Sequence, residues 1–284
     1  MRSLTRERLN KILLVICMLL TFFSLSFGKT YEMYPTRNIH NQLQLNTKTG
    51  EVKQIQDDGQ QWTICNGIEE YGKKEERFSL HETQNMWNFL LLDNYTGRVW
   101  QVQFSTEGEE YMFAFPINFT ELAVPSKSSN WKDRFELHRT QNMWNFILLD
   151  SYTGRTWQLQ YSTESLDNIM IVPIFDDALI TSFNKKLSSR FKLHETQNMW
   201  TFILLDSYTG RLWQLQYTVD KDSMRGILII NEDELADENK ENIFYISPLT
   251  SMFQYYLTND ITGEMWKFQW NTKGNEYRWI EKIK

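Results

Sequence analysis

Hydrophobic and polar residues alternate along this chain in short runs that recur as a pattern. Residues 77–83 alternate between apolar and polar side chains, which is typical of a strand with one buried face. Residues 86–93 are apolar at nearly every position and predict a strand buried on both faces. Residues 98–105 alternate again, and residues 111–117 form a fourth run. The pattern predicts four short antiparallel strands joined by tight turns, which we name A to D in chain order.

The same pattern occurs five times. A Thr-Gly pair marks the turn between strands B and C of each copy, at intervals of 47 to 57 residues. A glutamine stands six residues after each glycine, and a tryptophan stands three residues after it in every copy but the first. Self-similarity at such a period is typical of stacked or radial repeat folds. The five pairs are Thr49-Gly50, Thr96-Gly97, Thr153-Gly154, Thr209-Gly210 and Thr262-Gly263.

A four-stranded meander cannot cover both faces of its own strand B, so each copy must pack against its neighbours. Radial packing of such units gives a β-propeller, which typically has about four to eight blades. We therefore predict an all-β, five-bladed β-propeller of four-stranded antiparallel blades, with packing between the first and last blades closing the ring. The alternatives are an open β-repeat stack and a pair of β-sandwiches. The predicted single domain covers residues 29–284, with repeats at about 30–67, 77–118, 134–176, 190–231 and 243–284.

The core of the repeat reads LLD-x-x-TG-x-x-W, as in Leu91, Leu92, Asp93, Thr96-Gly97 and Trp100. This pattern resembles the repeat of uncharacterised secreted bacterial proteins and, more generally, β-propeller blade motifs. The resemblance covers the three central copies well, the fifth in part and the first only weakly. It implies a fold rather than a function, because propellers serve in binding, scaffolding and hydrolysis alike.

The first 28 residues differ from the rest of the chain. A basic start precedes an apolar run at residues 12–23, and Ser26 and Gly28 place small residues at the −3 and −1 positions of a cleavage site. This is the pattern of a secretory signal peptide, residues 1–28, cleaved after Gly28. The alternative is an uncleaved membrane anchor, although the apolar run is short for a span of about 20 residues. We expect a secreted or periplasmic protein of bacterial origin, in contact with the membrane only through the leader if it is uncleaved.

The net charge of the mature chain limits its possible partners, and its cysteine content limits its possible disulfide bonds. Without the leader the chain has 26 Lys and Arg against 35 Asp and Glu, a net charge of about −9. Nucleic acid is therefore not an expected partner, because binding it requires neutralisation of phosphates by basic side chains. Only Cys65 remains after cleavage, so no disulfide forms within the mature chain.

The turns beside strand B supply the candidate ligand-binding residues. Exposed aromatic rings next to amide side chains are suited to stacking on sugar rings and bonding their hydroxyls. The alternative for Trp87 is burial, because it alternates with Phe89 and Leu91. The repeated tyrosines are expected to meet solvent or to cap the turn between strands B and C. The candidates are Asn85, Trp87, Tyr95, Asn142, Trp144, Tyr152, Asn198, Trp200 and Tyr208.

Three histidines, His81, His138 and His194, occupy one position of strand A in successive copies. If strand A lines a central channel, they could converge as metal ligands. The alternative is that each makes a local hydrogen bond within its own blade. Tyr34 and Ser247 stand at this position in the first and fifth copies, so the ring of histidines would be incomplete.

Other repeated residues favour structural roles. The glutamines of strand C are expected to bond backbone groups between blades. Asp93 and its counterparts precede the turn and are expected to accept a backbone N–H there. Trp100 and its counterparts share a face with apolar residues and are expected in the core.

No motif of a known catalytic class is present, and Cys65 has no obvious catalytic partner. We therefore predict a secreted, non-enzymatic binding or interaction module without a cofactor, which recognises a glycan or an extracytoplasmic protein through repeated loops at the blade ends. One alternative is a carbohydrate-active hydrolase with a site over the central channel. Another is a structural or assembly subunit.

Overall fold

The computed structural model describes residues 29–68, 74–124, 133–180, 189–220, 224–237 and 243–284. The predicted signal peptide, residues 1–28, lies outside the described residues. Strands within the described ranges form five four-stranded antiparallel sheets, and each sheet is a meander in chain order. The predicted five-bladed β-propeller of four-stranded blades is confirmed.

Each sheet is one blade, whose four strands correspond to A, B, C and D. Blade 1 contains β1 (Tyr31–Pro35), β2 (Asn41–Asn46), β3 (Val52–Gln56) and β4 (Gln61–Cys65). Blade 2 contains β5 (Phe78–Glu82), β6 (Asn88–Asp93), β7 (Val99–Gln103) and β8 (Phe113–Pro116). Blade 3 contains β9 (Phe135–Arg139), β10 (Asn145–Asp150), β11 (Thr156–Gln160) and β12 (Met170–Phe175). Blade 4 contains β13 (Phe191–Glu195), β14 (Thr201–Asp206), β15 (Leu212–Gln216) and β16 (Gly226–Asn231). Blade 5 contains β17 (Phe244–Pro248), β18 (Gln254–Asn259), β19 (Met265–Gln269) and β20 (Trp279–Lys282).

Apolar clusters between neighbouring blades form the core. In blade 2, Phe89 and Leu91 pack toward blade 1, whereas Leu90 and Leu92 pack toward blade 3. Every residue of strand B is buried in the three central blades, as the continuous apolar runs predicted. The tryptophans assigned to the core are also buried, at Trp100, Trp157, Trp213 and Trp266.

The turn between strands B and C contains a buried ion pair. The Asp93 Oδ1 accepts a hydrogen bond from the Tyr95 N–H at 3.0 Å, which confirms the predicted turn role. Its Oδ2 lies 2.6 Å from a guanidinium nitrogen of Arg77, and both side chains are buried. Gly97 has φ 75°, and a Cβ there would lie 2.8 Å from the Phe135 ring of blade 3. Glycine is therefore required both by the backbone conformation and by the close approach of the next blade. The Arg–Asp pair recurs as Arg134–Asp150 and Arg190–Asp206.

A buried glutamine of strand C joins blades 1, 2 and 4 to the next blade. The Gln101 Nε2 donates to Asn88 Oδ1 of its own blade at 2.7 Å and to the Ser162 carbonyl of blade 3 at 2.9 Å. The Ser162 N–H returns a bond to Gln101 Oε1 at 3.4 Å. The predicted bonding of backbone between blades is therefore confirmed for this glutamine. Gln54 makes the same two bonds with Ser105, whereas Gln214 only accepts from the Asn271 N–H. Gln158 of blade 3 instead accepts from Arg225 of blade 4 at 3.1 Å.

Blades 1 and 5 each keep one face uncovered in the described structure. Tyr31 and Met33 of β1 stand where blade 2 has the buried Phe78 and Leu80, yet they are 54% and 47% exposed. Tyr245 of β17 is 43% exposed. The apolar clusters of the described residues join blades 1 to 2, 2 to 3, 3 to 4 and 4 to 5, and none joins blade 5 to blade 1. The packing that we expected to close the ring is therefore not formed by this part of the chain.

Candidate functional site

The A–B and C–D turns lie at one end of every blade, because successive strands of a meander run in opposite directions. The B–C turn lies at the other end. Strand B of blade 2 has six residues, which separates the two ends by about 20 Å at roughly 3.3 Å per residue. We call the end that carries the A–B and C–D turns the binding face.

The predicted ligand-binding residues divide between the two ends. Asn85 and Trp87 lie in the A–B turn, on the binding face, whereas Tyr95 lies in the B–C turn at the opposite end. The expectation that these tyrosines meet solvent is wrong for Tyr95, which is 7% exposed. Tyr152 and Tyr208 are half-buried, with the guanidinium groups of Arg134 and Arg190 5.9 and 5.8 Å from their ring centroids. A strand length separates the tyrosines from the Asn-Trp pairs, so the three residue types do not form one site.

The A–B turn has the same hydrogen bonds in blades 2 and 3, and all but one of them recur in blade 4. The Thr83 hydroxyl donates to the Asn85 carbonyl at 3.0 Å and the Asn88 carbonyl at 2.8 Å. The Asn85 Oδ1 accepts from the Trp87 N–H at 2.9 Å and from Asn88 Nδ2 at 3.0 Å. Asn142 and Asn198 hold Trp144 and Trp200 through the same 2.9 Å bond. The asparagine therefore fixes the turn with its oxygen, and strand B begins one residue after the tryptophan.

The turn holds each tryptophan half-buried. The Trp87 ring centroid lies 5.2 Å from that of Phe104, the residue that follows strand C. Trp144 packs on Tyr161 at 5.3 Å in the same way, and Trp200 packs on Tyr217 at 5.2 Å. One side of each indole is therefore part of the blade, and the remaining surface is available to a ligand.

Two equivalent cavities open on the binding face beside these tryptophans. The cavity of blade 3, about 330 Å³, is lined by Asn142, Trp144, Gln160 and Glu164, together with Val219 of blade 4. That of blade 2, about 310 Å³, is lined by the equivalent side chains and by Thr163 of blade 3. Both volumes lie at the small end of the range of about 300–1,000 Å³ that is usual for ligand pockets. The blade 2 counterparts are Asn85, Trp87, Gln103 and Glu107.

Sequence reasoning missed the glutamine and glutamate of these cavities. The Gln103 Nε2 donates to the Tyr111 carbonyl at 2.9 Å, and the Gln160 Nε2 donates to the Asn168 carbonyl at 2.9 Å. Each bond ties the C–D loop to strand C and so shapes the cavity wall. The recurrence of a glutamine six residues after the turn glycine was the available signal, but it was assigned to the same structural layer as the buried glutamine.

Blade 4 keeps the tryptophan but changes its surroundings. Thr201 replaces the asparagine that begins strand B in the first three blades, and its hydroxyl donates to Asn198 Oδ1 at 3.3 Å. The buried Gln214 Nε2 consequently has no hydrogen-bond partner. Residues 221–223 of the C–D loop lie outside the described ranges.

The three histidines do not form the metal site that their spacing suggested. His81 bonds the Ser79 hydroxyl at 2.9 Å, which is the local hydrogen bond expected within a blade. His138 Nε2 lies 3.6 Å from a Glu136 carboxylate oxygen, and neither it nor His194 Nε2 has a hydrogen-bond partner among the described residues. Burial lowers the pKa of His81 and of His194 to about 4, aided by the nearby charge of Arg139 for His81 and of His138 and Lys192 for His194. Across the described residues, no group of three or more His, Cys, Asp or Glu side chains could hold a metal ion.

Comparisons with known proteins give only distant matches to solved structures. No family model and no curated protein matches this chain. Among solved structures, the periplasmic gluconolactonase of Pseudomonas aeruginosa aligns with 90% of this chain and 71% of its own, at 9% identity and a TM-score of 0.44. An auxiliary nutrient binding protein from Bacteroides thetaiotaomicron aligns over 90% and 57% of the two chains, at 8% identity and a TM-score of 0.38. The Cps50 (Swd1) β-propeller domain of Myceliophteria thermophila aligns over 84% and 69%, at 10% identity and a TM-score of 0.39. In the part of the chain that the structure describes, no helix is long and apolar enough to cross a membrane.

Proposed function

We propose that this protein is a secreted or periplasmic, non-enzymatic module that binds a glycan through repeated pockets on the binding face. The observation that carries the proposal is the pair of equivalent cavities in blades 2 and 3, each with a half-buried indole beside amide and carboxylate groups. An indole face offers a stacking surface for the C–H groups of a sugar ring. The amides and the carboxylate supply donors and acceptors for its hydroxyls.

The rigidity of the turn supports this function. Each tryptophan is held by a backbone bond to the asparagine and by its ring contact with strand C, so little side-chain freedom is lost when a ligand binds. The asparagine oxygen is occupied by the turn, which leaves its Nδ2 group as the donor to a ligand. The geometry thus suits a preformed, shallow site.

Each cavity contains only one carboxylate among its lining residues, Glu164 in blade 3 and Glu107 in blade 2. Hydrolysis of a glycosidic bond ordinarily requires two carboxyl groups at a set separation across the bond. The cavities therefore favour binding over a hydrolytic function. The adjacency of the two cavities favours a ligand with repeated sugar units, because linked sites raise avidity without new contacts.

A glycan array probed with the mature chain, followed by titration of each hit against tryptophan fluorescence, tests the proposal. We expect Trp144→Ala to weaken binding of a monovalent sugar at blade 3 by roughly two- to tenfold, the usual value of one aromatic contact. Glu164→Gln should weaken it without removing any core contact. The matched control is Tyr152→Phe, at the opposite end of the same blade, which should leave binding unchanged. Absence of binding across the array, with the fold intact, would overturn the glycan proposal.

A further inference from the structure

One polar contact recurs between neighbouring blades. In blades 1, 2 and 4 the fourth residue after the turn glycine is a glutamine that contacts the eighth residue after the turn glycine of the next blade, whereas Gln158 of blade 3 accepts from Arg225 of blade 4 at 3.1 Å. Gln54 meets Ser105 in this way at 2.9 Å, and Gln101 meets Ser162 at 2.9 Å. The Asn271 N–H of blade 5 donates to Gln214 of blade 4 at 3.2 Å. The positions that join one blade to the next are therefore known.

At the uncovered faces these two positions have opposite charges. The glutamine position of blade 5 is Lys267, and the receiving position of blade 1 is Asp58, preceded by Asp57. Lys267 is half-buried, with its Nζ 5.8 Å from the Trp279 ring centroid. The Asp58 carboxylate is exposed and accepts bonds only from Gln60 of its own turn among the contacts described. A lysine at this position can donate to the Asp58 carbonyl, as the glutamines do, and can also pair with its carboxylate.

The remainder of both faces is suited to a reversible contact rather than a permanent core. On blade 1, Gln44 and Lys53 stand where blade 2 has the buried Leu91 and Trp100. Exposed aromatic and thioether side chains surround this polar centre, and they include Tyr31 and Met33 on blade 1 and Tyr245 on blade 5. Mixed polar and aromatic composition is usual for interfaces that form between separately folded chains.

We propose that the uncovered face of blade 5 binds the uncovered face of blade 1 in a second copy of this chain. The contact continues the blade-to-blade interface already present four times within one chain, with Lys267 and Asp58 in place of the glutamine and serine. It is a heterologous, head-to-tail contact, because two different surfaces meet. The proposal does not depend on the glycan-binding pockets, which lie at the blade ends.

Sedimentation velocity over a concentration series tests the assembly. We expect self-association that Lys267→Asp or Asp58→Lys weakens by about tenfold or more, since each change sets like charges against each other. The double variant, Lys267→Asp with Asp58→Lys, should restore it. The matched control, Lys273→Asp, makes the same charge change in the C–D turn of blade 5, off the proposed interface, and should associate like the parent protein. A protein that is monomeric at every concentration overturns the proposal.

A cysteine pair separates contact between copies from closure within one chain. The double variant Lys267→Cys with Asp58→Cys is oxidised under non-denaturing conditions and its mass is measured. Covalent dimers or longer species support the proposal, and each variant with only one of the two added cysteines, which also contains the buried Cys65, serves as the control. A bond formed within a monomer would mean that blade 5 meets blade 1 of its own chain, and this result, or no bond at all, overturns the proposal.

Discussion

The side chain of Gln54 bonds both backbone groups of Ser105 in the next blade. Its Nε2 donates to the Ser105 carbonyl at 2.9 Å, and its Oε1 accepts from the Ser105 N–H at 3.2 Å. The same Nε2 also donates to Asn41 Oδ1 at 2.7 Å. This buried amide therefore supplies hydrogen-bond partners to both backbone groups of Ser105, which follows strand C of blade 2 and lines the candidate pocket. The same bonds join the two blades.

Replacing this glutamine should destabilise the protein. Gln54→Ala leaves the Ser105 N–H and carbonyl and the Asn41 oxygen without their partner, and a buried unsatisfied group costs about 1–3 kcal/mol. We expect a loss of that size in the free energy of unfolding, measured by urea titration of circular dichroism. The matched control is Gln42→Ala, an exposed glutamine of the same blade, which should change stability little. Equal effects of the two variants would contradict the inter-blade role.

A substitution beside the buried glutamine of blade 4 should stabilise the protein. The Gln214 Nε2 has no partner because Thr201 replaces the asparagine of the first three blades, as Asn145 shows in blade 3 with its 2.7 Å bond from Gln158. Thr201→Asn supplies this acceptor and should raise the free energy of unfolding by about 0.5–1.5 kcal/mol. The reverse change, Asn145→Thr in blade 3, is the control and should lower it by a similar amount. A destabilising Thr201→Asn would show that the site cannot accommodate the larger side chain.

The strand layout and the buried glutamine layer could be predicted because both follow from local periodicity. Strand B of blade 2 was identified by its continuous apolar run, and Gln101 by its place opposite the tryptophan stripe. The pairing of Arg77 with Asp93 could not be found in this way, because the two lie 16 residues apart and only the register of β5 with β6 brings them together.

The sequence predicted only some residues of the candidate site, because the rest of the site depends on contacts between blades. Asn85 and Trp87 were chosen from their place at the turn before strand B, but the cavity wall also needs Thr163 of the next blade, whose position depends on how blades pack. Tyr95 was assigned to the same site although the strand between them places it at the other end of the blade. Strand direction was already implied by the meander, so this error could have been avoided from the sequence.

The buried Arg–Asp pairs should matter more than ion pairs at the surface. Asp206 is fully buried against Arg190 at 2.7 Å and Arg211 at 3.1 Å. Burial alone would raise the pKa of this carboxyl, but the hydrogen bond and charge of Arg190 outweigh it and lower the pKa below its usual value. Asp206→Ala would leave a buried cation uncompensated and should cost about 3–5 kcal/mol of unfolding free energy.

The control for that variant is an exposed pair. Glu264 lies against Lys282 in blade 5, with both side chains largely exposed. Glu264→Ala should change the free energy of unfolding little, because solvent screens such pairs. If the two variants were equally stable in chemical denaturation, the Arg–Asp pairs would not be the structural anchors of the B–C turns.

Stability should fall on acidification in a window set by the histidines of strand A. Burial lowers the pKa of His81 and His194 from 6.5 to about 4. These histidines are therefore protonated below pH 6.5 in the unfolded chain, but only near pH 4 in the folded chain. Their contribution is therefore complete above pH 6.5 and is lost as the pH falls toward 4. Asp150 and Asp206 have lowered pKa values, and their contribution to stability is lost at still lower pH.

We expect the urea midpoint to drop between pH 7 and pH 4.5, and to drop less steeply in His194→Gln. The control His40→Gln, at an exposed site, should follow the parent protein. An unchanged slope in His194→Gln would show that this histidine titrates alike in the folded and unfolded states.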